Sequence, residues 1–144
     1  MKYLSLLAIS VLLLITAACT PAPQTEARQQ PAAGKTIAES KNGNMKIVLT
    51  NPTGKLKEGD NNLTIEFRDA KGQPVDIGTG TVWLEMPHMG AMAAMRANVK
   101  LLTTKTPGVY DASVRLEMAG TWNLHAKYKG PAGEGQIDLE INCS

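Results

Sequence analysis

Two cysteines, two histidines and one phenylalanine are spread over 144 residues, with two tryptophans and three tyrosines besides. Two cysteines cannot build the multi-bridge framework of a small secreted scaffold. Two histidines are too few for most copper-oxidase centres, and no nucleophile elbow, phosphate loop, dinucleotide fingerprint or zinc-hydrolase motif occurs. The expectation is that the protein is not an enzyme. A strong excess of one charge is missing too: 15 basic residues face 13 acidic ones, with no basic cluster and no acidic tail. That leaves no electrostatic footprint for nucleic acid. Beyond residue 18 no apolar run reaches the roughly 20 residues needed to span a bilayer.

What is present begins at the N-terminus. Met1-Lys2 precedes an uncharged stretch from Tyr3 to Ala18 filled mostly by leucine, isoleucine, valine and alanine, a short basic region followed by the apolar core of an export signal. Its end, Thr16-Ala17-Ala18-Cys19, resembles the bacterial lipobox, although Thr16 stands where leucine is usual. The resemblance implies that residues 1–18 are a lipoprotein signal peptide and that Cys19 is acylated, by palmitate among other chains. A plain secretory signal cleaved after Ala18 is the alternative. Two or more acyl chains would hold the protein stably at a membrane surface. Thr20 is not the aspartate associated with inner-membrane retention, so the resemblance implies a periplasm-facing, lipid-anchored location at the outer rather than the inner membrane.

Residues 19–43 read as a lipidated flexible tether, rich in proline, alanine, glutamine and small polar residues and without apolar periodicity. From residue 44 to 144 the chain is long enough for one domain with one core. Short alternating segments recur between turn signals: Met45–Thr50, Leu63–Phe67, Val82–Met86, Val99–Leu101, Tyr110–Leu116, Trp122–Tyr128 and Ile137–Ile141. About seven strands at this spacing predict an all-β fold, an Ig-like antiparallel β-sandwich, with a small barrel as the alternative. With Cys19 committed to lipid, Cys143 has no partner in the chain and reads as a small apolar residue near the end of the last strand.

Methionine is concentrated in one loop. In Trp83-Leu84-Glu85-Met86-Pro87-His88-Met89-Gly90-Ala91-Met92-Ala93-Ala94-Met95-Arg96, four methionines recur every three residues. Thioether sulfur is a soft donor that selects Cu(I) over hard cations. It needs no deprotonation to bind, and it cannot be consumed by disulfide formation in an oxidising compartment. Met86, His88, Met89, Met92 and Met95 are therefore the candidate metal ligands. In an extended strand, residues three apart lie about 10 Å apart, so a compact 3₁₀ or α-helical turn is expected to gather the sulfurs. Trp83 and His125 have the outward parity of their strands and are candidate accessory metal groups, the indole through a cation–π contact. An apolar lid over the core and a soft protein-contact surface are the other readings of the loop.

The patterns V-W-L-E-M-P-H-M-G-A-M and P-G-V-Y-D-A-S-V-R-L-E-M-A-G-T-W-N-L-H-A resemble the YtkA-like domain family, small extracytoplasmic β-sandwich modules related to FixH-type proteins. The resemblance covers most of Met45 to Ile141, and Met86, His88 and Met89 match its loop motif directly. It implies a metal-handling role, because such domains occur among lipoproteins and copper-handling or efflux-associated proteins. The expected function is a membrane-anchored periplasmic Cu(I)-binding protein for copper buffering, transfer or resistance. Its partners would be membrane lipid through Cys19 and a periplasmic copper donor or acceptor. The alternative is a non-metal Ig-like interaction module of an envelope or efflux assembly. Help in assembling an oxidase copper centre is a third possibility.

Overall fold

Alternation of buried and exposed positions marks most of the nine strands found among the described residues. The computed structural model describes residues 34–144; the signal peptide, Cys19 and the first part of the tether lie outside the described residues. The strands are β1 (Lys35–Asn42), β2 (Met45–Asn51), β3 (Gly59–Arg68), β4 (Thr79–Met86), β5 (Met95–Asn98), β6 (Lys100–Thr103), β7 (Val109–Leu116), β8 (Gly120–Gly130) and β9 (Gly133–Cys143). They form two antiparallel sheets, β1-β2-β3-β7-β6 and β5-β4-β8-β9. This is the expected β-sandwich.

The core lies between the sheets because β2, β3, β4, β7, β8 and β9 turn alternate apolar residues inward. Ile47, Leu49, Ile65, Phe67, Ala112, Val114 and Leu116 from the first sheet meet Val82, Leu84, Met86, Trp122, Leu124, Ala126, Ile137 and Ile141 from the second, all buried. Trp122 is 1 % exposed and donates its indole N–H to the Met118 carbonyl at 3.2 Å, so the largest side chain of the core leaves no polar atom orphaned. Phe67 meets Tyr110 edge to face, with ring centroids 5.9 Å apart.

Two strands exceed the expected seven, for different reasons. The segment read around Val99–Leu101 divides: β5 ends at Asn98 in one sheet and β6 begins at Lys100 in the other. The chain thus changes sheets at Val99, whose N–H donates to the Val82 carbonyl at 3.1 Å. The other addition corrects the tether boundary, since residues 35–42 form β1 and the ordered domain begins before residue 44. β1 has no apolar alternation to announce it. It is held by its ladder to β2, from Lys35↔Asn51 to Asn42↔Met45 around the Gly43-Asn44 turn. The Ser40 hydroxyl and the Asn42 amide also donate to the β9 carbonyls of Asp138 and Gln136, at 2.9 and 2.8 Å. These bonds blunt an exposed sheet edge of the kind that invites aggregation, and they close one side of the sandwich.

Candidate functional site

The methionine loop joins β4 to β5 at one end of the sandwich. Its local structure is a hairpin rather than the compact helical turn expected from the spacing. Met86 pairs with Met95 at the end of the ladder, and Met89 pairs with Met92 in a further antiparallel bridge. The second pair exchanges both backbone bonds: Met89 N–H to Met92 O at 3.1 Å, and Met92 N–H to Met89 O at 3.0 Å. Both pairs share one register, Met89 lying three residues beyond Met86 and Met92 three residues before Met95. The period of three is therefore a pair of rungs on one hairpin. Gly90, with φ of +58°, begins the two-residue Gly90-Ala91 turn, where tight hairpins need a left-handed residue.

The odd spacing separates the two pairs in environment, because residues three apart along a ribbon face opposite ways. Met86 is 1 % exposed and points into the core, where its methyl lies 3.0 Å from the position a Cβ would take on Gly120. Met86 therefore belongs to the packing and is withdrawn from the candidate ligand set. Met95 is half-buried against the core. Met89 and Met92 are 48 % and 45 % exposed. A hydrogen-bonded cross-strand pair holds its Cβ atoms about 5 Å apart on one face, so two flexible thioethers stand side by side; His88, one residue before Met89 in the chain, is exposed as well. Met118, in the β7–β8 turn, is half-buried against the core.

Trp83 and His125 are placed outward, as their parity required, and their surroundings define their role. They are cross-strand partners, stacked with centroids 5.1 Å apart and planes at 23°. From β5 the Arg96 guanidinium lies 4.7 Å from the indole centroid, and the Lys127 ammonium lies 5.5 Å from it. The indole is already shared among an imidazole and two cations, so a further cation there would meet like charge. His125 Nδ1–H donates to Asp138 at 2.7 Å. These two residues are accordingly assigned to a surface ladder, Arg96–Trp83–His125–Asp138, that crosses all four strands of the sheet.

Within that ladder, partial burial alone would raise the Asp138 carboxyl. Hydrogen bonds from Gln136 and His125, with the charges of His125 and Lys127, outweigh it and hold the group below its ordinary value of 3.8. A depressed folded value stabilises the fold fully above 3.8 and is lost as pH falls through the lower folded value. Asp138→Asn should therefore lower the urea midpoint at neutral pH, and the gap to the parent protein should narrow on acidification. A gap that widens toward acid would refute the ladder.

Cys143 is buried near the end of β9 and free, as expected from its position. Burial, and secondarily the charge of Glu58, pushes its thiol up. Among the described residues no group of three or more His, Cys, Asp or Glu side chains gathers where it could hold a metal. Thioethers with one imidazole are thus the donor set on offer. It suits a soft monovalent ion and not a hard or borderline one.

Comparison with known proteins gives two results. A family model described as YtkA-like matches residues 37–127. Two solved structures of FetP from uropathogenic Escherichia coli are similar in fold. One is the protein as isolated after periplasmic expression, at 10% identity and a TM-score of 0.45, covering 76% of this chain and 93% of that one. The other is a copper-bound variant, at 10% identity and a TM-score of 0.46, covering 76% and 95%. No curated protein matches the sequence.

Proposed function

The chain belongs to the YtkA-like family, and on that premise we propose that it is an envelope protein that binds Cu(I) for buffering or transfer. The observation that carries this reading is the Met89↔Met92 rung, two exposed thioethers fixed side by side at a hairpin tip. Met89 and Met92 are the principal ligands, His88 supplies an imidazole, and Met95, which shares the core-facing rung with Met86, is left to packing. Bound there, the ion would be kept as Cu(I) by soft donors. The small residues Gly90, Ala91, Ala93 and Ala94 are all exposed, so a partner protein can approach the ion closely and exchange ligands with it. Acylation at Cys19 would keep the domain at the membrane, with residues 20–33 as reach. No reaction is assigned to it.

Titration of the purified protein with Cu(I) against a competing chelator tests the proposal. Stoichiometric binding is expected. Failure to compete at any chelator concentration would leave the hairpin as an apolar contact of an envelope or efflux assembly, a reading favoured by the same exposed methionines.

A further inference from the structure

The sulfur-containing residues of this domain differ sharply in their exposure to solvent. Met45 and Met86 are 6 % and 1 % exposed, Met95 and Met118 are half-buried, and Met89 and Met92 stand out at 48 % and 45 %. The free thiol of Cys143 is 5 % exposed and held in its protonated, unreactive form by burial. An oxidant arriving from solvent therefore meets the rung first. We propose that Met89 and Met92 are a reversible oxidation site, in which conversion to methionine sulfoxide switches off binding of a soft metal ion at the hairpin.

The chemistry is oxygen transfer from a peroxide. The thioether sulfur attacks the O–O bond, an S–O bond forms, sulfur is oxidised by two electrons, and hydrogen peroxide is reduced to water. A dithiol reductase reverses the step, giving two electrons and two protons, releasing the oxygen as water and becoming a disulfide. Sulfoxide is polar and presents a hard oxygen, so it is a poor ligand for a soft ion. The fold should survive, because neither side chain contributes to the buried core. Every residue from Pro87 to Ala94 is exposed, which lets a reductase grip the hairpin as it could not grip Met86.

The effect on metal binding rests on the Cu(I) reading, whereas the selectivity of oxidation does not, and the experiment separates them. Purified metal-free protein is treated with dilute hydrogen peroxide, and the peroxide is removed before any metal is added. Oxygen uptake is mapped by peptide mass spectrometry. In the metal-free sample Met89 and Met92 should gain one oxygen each at least about tenfold faster than Met45 and Met86. The doubly oxidised protein, with an unchanged circular dichroism spectrum, should bind Cu(I) at least about tenfold more weakly than the reduced protein, and a methionine sulfoxide reductase should restore the affinity. Equal oxidation of Met86 and Met89 would overturn the site. Undiminished Cu(I) affinity in the doubly oxidised protein would overturn the switch. If the reduced protein binds no Cu(I), the proposed function and the switch fall together, while the oxidation map still decides the site.

Discussion

Replacing Met89 and Met92 together by leucine is expected to weaken Cu(I) binding by at least about two orders of magnitude while leaving the fold intact. The size follows from what is removed. Changing groups that merely orient a metal ligand costs about 10- to 100-fold in affinity, and here two of the three exposed donors are lost. Leucine matches methionine closely in volume, and such swaps cost under about 1.5 kcal/mol even inside a core, so the half-exposed rung should tolerate them. Its backbone bonds, 3.1 and 3.0 Å, involve no side chain. Met86→Leu is the informative partner. Met86 is buried at 1 % exposure, so its replacement should change the unfolding midpoint slightly and Cu(I) affinity hardly at all. The reverse pattern, with affinity following Met86 and indifferent to the rung, would move the site into the sandwich. Chelator competition reads affinity, and urea unfolding reads stability.

The second large effect is structural. Gly108→Ala should destabilise the domain by about 2–5 kcal/mol, a large share of the roughly 5–15 kcal/mol that holds a domain of this kind together. Gly108 has φ of +81°, a conformation that costs an L-residue about 1–2 kcal/mol. A Cβ there would also stand 2.5 Å from the Val75 backbone nitrogen and 2.7 Å from its carbonyl carbon, and closer still to its oxygen. Backbone cannot yield as a flexible side chain does. The Gly108 carbonyl accepts from Phe67 N–H at 2.8 Å, so the strain passes into the strand that carries the core phenylalanine. Gly43→Ala is the control, with φ of +59° and open space around it, and should cost only the conformational part. Urea unfolding of the three proteins reads the difference. Equal losses at both glycines would remove the steric argument.

Gly108 also explains part of the family pattern. Gly108-x-Tyr110 and Gly120-x-Trp122 are among the markers by which the sequence resembles the YtkA-like family, and both turn out to be packing devices. The first lets the β6–β7 connection pass against the Val75 backbone and the second lets Met86 pack beside Gly120. Neither glycine touches the hairpin tip.

The core was legible because antiparallel strands write burial into every second residue. Val82, Leu84 and Met86 face inward, and Trp83, Glu85 and His125 are only half-buried, as the alternation required. β1 was not legible, since hydrogen bonds to β2 and β9 place it rather than apolar side chains, and only the Asn42-Gly43-Asn44 turn hinted at a hairpin. The methionine spacing was visible, but its geometry was not. A period of three suits a tight helix as well as a hairpin with paired rungs, and pairing across strands is a property of the fold. That choice decided which sulfurs are open to solvent. A helical turn would have stacked all four on one line, whereas the hairpin sends Met86 to the core and leaves Met89 and Met92 outside. Trp83 shows the same limit, because its outward parity could be read from the strand but the cations that surround it could not.

X-ray absorption at the copper edge of the Cu(I)-loaded protein tests the central claim most directly. A sulfur-dominated shell with a minor imidazole component, which loses its sulfur scattering in the Met89→Leu, Met92→Leu protein, is the predicted result. A shell of nitrogen and oxygen alone, or sulfur scattering that persists when both methionines are gone, would contradict it.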